Sequence, residues 1–105
     1  MLADGTKPGI PCTSASALLV AWERRAASNS AWQLARGTNS VDVWPVMIVG
    51  LLRDLAGSSW AEIQRRTGGS CSSVQRRYQA HRTWMDKEDA YVAMVGDLGA
   101  ECLPR

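Results

Sequence analysis

Between Ser58 and Arg82 the chain carries five arginines (Arg65, Arg66, Arg76, Arg77 and Arg82) and one acid, Glu62. The local charge is therefore +4, while the other seven cations and nine anions leave the rest of the chain at −2. All the positive charge of this stretch sits on guanidinium groups. Their planar fork of donors grips a phosphate, or the edge of a guanine, through two parallel hydrogen bonds. Interleaved with them are Ser59, Ser72, Ser73, Gln75 and Gln79, short hydroxyls and amides that donate and accept. Such a set is suited to gripping an anionic, hydrogen-bonding surface.

Bond-making chemistry is far less well provided for. The three cysteines, Cys12, Cys71 and Cys102, form no C-x-x-C pair, and an odd number cannot all be bridged within the chain. With His81 as the only histidine, no structural zinc site is expected, and the cysteine usage points to a reducing compartment. Cys71 opens a helical phrase, a position that suits a redox-responsive thiol; a small side chain that permits close approach is the preferred reading. His81 falls on an apolar helical face and reads as a core histidine. Asp86, Glu88 and Asp89 cluster, but Asp86 reads as a helix cap and the other two as first-turn anions that suit the helix dipole. No glycine-rich phosphate loop is present. A non-enzyme without cofactor or metal is the expectation.

The elements that would hold the arginines read as helices. The chain has 105 residues, 46% of them hydrophobic, with five Trp and no Phe, enough for one core in one domain. Residues 1–13 carry two glycines and two prolines and read as a flexible tail. They contain no basic segment followed by an apolar run, so no secretory leader is read there, and a cytoplasmic protein is expected. "TSASALLVAWERRAAS" fits a helix capped by Thr13 or Ser14, with Leu18, Leu19, Trp22 and Ala26 on one face. "NSAWQLARG" is read as a shorter helix stopped at Gly37. "VDVWPVMIVGLLRDLAG" is the strongest apolar segment, a helix capped by Asp42 in which Pro45 is tolerated near the start. It meets Arg53 and Asp54 too soon to span a membrane. Gly50 inside it costs about 1 kcal/mol relative to Ala, a sign of close packing. A last helix, with Ala90, Tyr91, Met94, Val95 and Leu98 inward, is expected after Asp86. No strand is read, and the fold class is all-α: about five helices in a single domain, 14–105.

The arginine-bearing stretch itself gives two helices, from about Ser59 to Thr67 and from about Cys71 to Met85. Trp60, Ile63 and Thr67 share one face of the first. Gly68 allows the chain to turn sharply through a positive φ. Ser70 then caps the second helix, whose inner face is Val74, Tyr78, His81 and Met85. Its outer face carries Ser72, Gln75, Arg76, Gln79 and Arg82, none of them acidic. A face of this kind fits a B-DNA major groove, where small residues permit close approach, Arg reads guanine and Gln reads adenine.

This stretch resembles the helix-turn-helix DNA-binding family. Ile63, Gly68, Ser70, Val74 and Arg76 match its pattern E-I-x-x-x-x-G-x-S-x-x-x-V-x-R, with Glu62 leading. The resemblance covers about 20 residues closely and extends loosely to "VWPVMIVGLLRDLAG" as the supporting helix of a three-helix unit at about 43–85. The spacing is most similar to homeodomain-like modules of transposases, resolvases and small repressors, and also to the fourth region of bacterial sigma factors. Gln64, Gly69 and Arg77 depart from the usual residues. The resemblance implies base-edge contacts from Cys71, Ser72, Gln75 and Arg76. It implies phosphate contacts from Ser59, Arg65, Arg66, Ser73, Arg77 and Arg82. It further implies a small regulator or mobile-element accessory factor on double-stranded DNA. A homodimer joined through the apolar faces of 14–28 and 87–98 is one expectation, and a monomer that uses those faces for its own core is the other. The alternative function is a protein-docking module of the same shape that does not bind DNA.

Overall fold

The computed structural model describes residues 13–102, which form five helices and one two-stranded antiparallel sheet in the order α1 (Ala15–Ser28), β1 (Gln33–Arg36), β2 (Asn39–Asp42), α2 (Val43–Asp54), α3 (Trp60–Thr67), α4 (Cys71–Lys87) and α5 (Asp89–Cys102). Residues 1–12 of the expected tail lie outside the described residues. Thr13 is tied into the fold: its amide donates to the Leu55 carbonyl (3.3 Å) and its hydroxyl to the Cys102 carbonyl (2.7 Å).

The apolar run α2 is the central element. Nine of its twelve residues are buried, and removing a side chain of Leu or Ile size from water contributes about 1.5–3 kcal/mol each. Asp42 caps it, its carboxylate accepting from the Trp44 amide at 3.3 Å. Around it pack Leu18 and Ala21 of α1, Ile63 of α3, Val74 and Trp84 of α4, and Tyr91 and Leu98 of α5, in one core. None of the helices of the described residues is long and apolar enough to cross a membrane.

Gly50 shows why the close packing is needed. A Cβ there would sit 2.2 Å from the His81 ring, so glycine is what lets α4 lay its buried histidine against the α2 backbone.

α3 and α4 follow the sequence reading closely. Ser59 caps α3, accepting from the Glu62 amide (3.1 Å), and Ser70 caps α4, accepting from the Ser73 amide (3.1 Å). Between them runs a three-residue turn, 68–70, with Gly68 and Gly69 at φ 81 and 88, a region that side-chain-bearing residues rarely adopt.

Three expectations are corrected. First, the fold is not strictly all-α, because "NSAWQLARG" supplies a strand and not a short helix. Gln33 pairs with Asp42, Leu34 with Val41, Ala35 with Ser40 and Arg36 with Asn39. Gly37, read as a helix stop, turns a hairpin at φ 64, the positive φ that two-residue hairpin turns favour. The alternation Trp32, Leu34 and Val41, Val43 around that turn carried the signal. Second, Asp86 does not cap the last helix. No Gly or Pro interrupts "TWMDKED", so α4 continues to Lys87. The break falls at Glu88, with φ −111 and ψ 101. The Glu88 amide closes α4 on Trp84 (2.8 Å) and its carbonyl accepts from Val92 to open α5 (3.0 Å). Third, Met85 and Ala90 are exposed instead of inward. The packed side of the last turns of α4 shifts to Ala80 and Trp84, because there its neighbours are the hairpin and Tyr91.

α1 and α5 pack on each other within the chain. Glu101 binds both Arg24 and Arg25 (2.9 Å to the latter), and the Cys102 thiol donates to the Ala17 carbonyl (3.5 Å). The apolar faces offered for pairing subunits thus serve this chain's own core.

Candidate nucleic-acid interface

The inner face of α4 is fixed by a chain of polar side chains. His81, 2% exposed, has its Nδ1 2.6 Å from the Tyr91 hydroxyl and its Nε2 3.3 Å from Asp54 Oδ2. The Tyr78 hydroxyl donates to the other oxygen, Asp54 Oδ1 (2.6 Å). A single tautomer satisfies all of it: Tyr91 donates to Nδ1, and Nε2–H donates to Asp54. Among the described residues no buried side-chain nitrogen or oxygen lacks a partner.

The titrations follow from this geometry. Burial alone would raise the Asp54 carboxyl, but the hydrogen bonds from His81 and Tyr78, with the positive charge of Arg82 nearby, hold it below its ordinary value. Burial pushes the Tyr91 hydroxyl well up, helped by the Asp54 charge, so it stays protonated and able to donate. The same holds for Tyr78, raised by partial burial and by Asp54. An Asp–His–Tyr set is able to relay a proton, yet here the Tyr91 ring is fully buried and the network orients α4. Rings extend it on both sides: Arg53 lies 4.2 Å over Trp60, which meets Tyr78 edge-on at 5.3 Å. Tyr78 stacks on His81, and Tyr91 meets both Trp84 and Trp32.

On the outer face, Cys71, Ser72, Gln75, Arg76, Gln79 and Arg82 are exposed. Ser73 and Arg77 are half-buried at the flank, where Arg77 lines a groove with Pro45, Arg66 and Thr67. Arg82 lies beside Asp54 and Tyr78, so its charge is partly answered by the inner network. Ser59 is exposed at the cap of α3.

Arg65 and Arg66 are exposed too, but both bind Glu62, Arg66 at 2.7 Å. The i,i+3 and i,i+4 spacing of Glu62 with Arg65 and Arg66 is itself the sequence signal for these pairs. The pairing holds the Glu62 carboxyl below its ordinary value through hydrogen bonds from Arg66 and then Arg65. Unanswered positive charge is therefore centred on Arg76 and Arg77 more than on α3.

One residue of the surface was missed. Arg36, at the end of β1, donates from Nη2 to the Arg76 carbonyl (3.4 Å) and brings the hairpin alongside α4. Its place could not be seen while its segment was read as a helix. Among the described residues no group of three or more His, Cys, Asp or Glu side chains is placed to hold a metal. No protein-family model, curated protein or solved structure matches the chain.

Proposed function

We propose that the protein binds double-stranded DNA with sequence preference, laying the outer face of α4 in a major groove, as a small cytoplasmic regulator of transcription or an accessory factor of a mobile element. The observation that carries this reading is the contrast across α4. A fully satisfied polar network fixes one side, and the other exposes Ser72, Gln75, Arg76 and Gln79, whose side chains have no hydrogen-bond partner among the described residues. In this arrangement Cys71, Ser72, Gln75 and Arg76 meet base edges. Ser59, Ser73, Arg77 and Arg82 meet phosphates, and Arg65 and Arg66 join them once Glu62 lets go. Phosphate contacts supply salt-dependent affinity and register; base contacts supply preference. In support of binding as a single copy, the large apolar side chains exposed among the described residues are Val20, Met85 and Val92, scattered over three helices.

The pairing of Glu62 with Arg65 and Arg66 favours one rival, a protein-docking module that keeps the helix-turn-helix shape. Titration against a duplex pool at several salt concentrations separates the two. DNA binding gives a log–log salt slope of several units. Arg76→Ala then costs about 1–3 kcal/mol at one base position. Protein docking leaves binding to duplex absent or indifferent to Arg76→Ala.

A further inference from the structure

We infer that the hairpin tip is a second DNA-contacting element, in which Arg36 binds a phosphate of the strand that borders the groove occupied by α4. This rests on the DNA-binding reading and adds to it an element outside the three-helix unit.

The hairpin is fastened to α4 at two levels. The Trp84 indole donates to the Ala35 carbonyl (3.1 Å), and Arg36 donates to the Arg76 carbonyl (3.4 Å). Its base is held by the Trp32 ring against Trp44 (5.5 Å) and by the Val43 amide on the Trp32 carbonyl (3.1 Å). A two-stranded ribbon alone is marginal in water; these anchors make it move with α4 as one body. A helix with its side chains is about 10–12 Å across, close to the roughly 12 Å width of the major groove. An element fixed along the flank of such a helix therefore meets the bordering sugar–phosphate backbone and not the bases.

The charges at that flank fit the same occupant. Arg36, Arg76, Arg77 and the Ser73 side chain line one groove between hairpin and helix. Asp42 lies in the same groove, but its carboxylate caps α2 through the Trp44 amide. None of the three guanidinium groups has a carboxylate within ion-pair distance among the described residues. The 3.4 Å bond to a carbonyl is long and leaves most of the five Arg36 donors unused. Three cations and one carboxylate leave the groove with a net positive charge beside a hydroxyl, a setting that a phosphodiester completes. The tip residues Gly37, Thr38, Asn39 and Ser40 are exposed and uncharged, so nothing there repels a strand.

The test compares wild type, Arg36→Gln, Arg36→Lys and Thr38→Glu on one duplex bound by the wild type, across a range of salt, with circular dichroism and thermal melting to confirm folding. Arg36→Gln is expected to weaken binding about three- to tenfold and to lower the log–log salt slope by about one. It should leave the order of preference among duplexes unchanged. Arg36→Lys keeps the slope, and Thr38→Glu weakens binding. A folded Arg36→Gln protein with wild-type affinity and slope overturns the inference, as does a changed base preference, which would make Arg36 a base reader. Absence of any duplex binding by the wild type overturns the DNA-binding reading itself.

Discussion

On the inner face of α4, Tyr78 and His81 are bound to Asp54 and Tyr91 by contacts of 2.6–3.3 Å. On the outer face, Gln75, Arg76 and Gln79 have no side-chain partner among the described residues. Both faces are polar, and composition alone does not tell them apart. Their difference lies in accounting for donors and acceptors. His81 and Tyr91 are taken out of water and must be answered, because an unmet buried polar group costs about 1–3 kcal/mol. The exposed Asp54 and half-buried Tyr78 complete the set from its edge. Polar groups left in water keep their capacity for a ligand. The inner face therefore sets where α4 sits and the outer face sets what it meets, and the two should be separable by mutation.

The largest expected effect is at the point where the inner face touches α2. Gly50→Ala drives a Cβ into the His81 ring and should destabilise the fold by about 2–4 kcal/mol in urea unfolding. The cause is checked by combining it with His81→Ala. If the ring is the obstacle, the double variant loses less than the sum of the singles, and strict additivity would locate the strain elsewhere. Next comes Tyr91→Phe, which leaves the His81 Nδ1 acceptor buried and unmet. It should cost about 1–3 kcal/mol of stability and leave the sequence preference of the folded protein as it was. A changed preference would show that the two faces are not separable.

Acid sharpens the same comparison. The Asp54 carboxyl is held below its ordinary 3.8 in the folded chain. Its contribution is therefore complete above about pH 4 and is lost as pH falls below that value and through the folded pKa. Asp54→Asn should flatten the loss of stability below pH 4, measured by urea midpoints. The smallest effect is expected at α3. Glu62→Gln frees Arg65 and Arg66, and should strengthen duplex binding a few-fold with a steeper salt slope and little change in stability.

What was legible in the sequence was local. The turn from α3 to α4 is encoded by adjacent residues: the caps Ser59 and Ser70, the glycines 68 and 69, and the spacing of Ile63 and Val74. Exposure of Ser72, Gln75, Arg76 and Gln79 follows from that spacing alone. The hairpin was missed because its alternation is split between two short segments on either side of Gly37, each of which by itself supports either period. Its strand form is settled by distant partners, the Trp84 indole on Ala35 above all. The reason for Gly50 lay 31 positions away at His81, and the partners of His81 lay on two other helices. Asp86 failed as a cap because α4 continues through it to Lys87 and the chain breaks only at Glu88.

The central claim is that the outer face of α4 reads duplex DNA. Its most direct test is in vitro selection from a random duplex pool by the wild type, with an Arg76→Ala/Arg77→Ala variant in parallel and folding checked by circular dichroism. The account predicts an enriched site that the variant no longer selects, asymmetric if one copy binds and palindromic if two do. No enrichment by the folded wild type at low salt would contradict it.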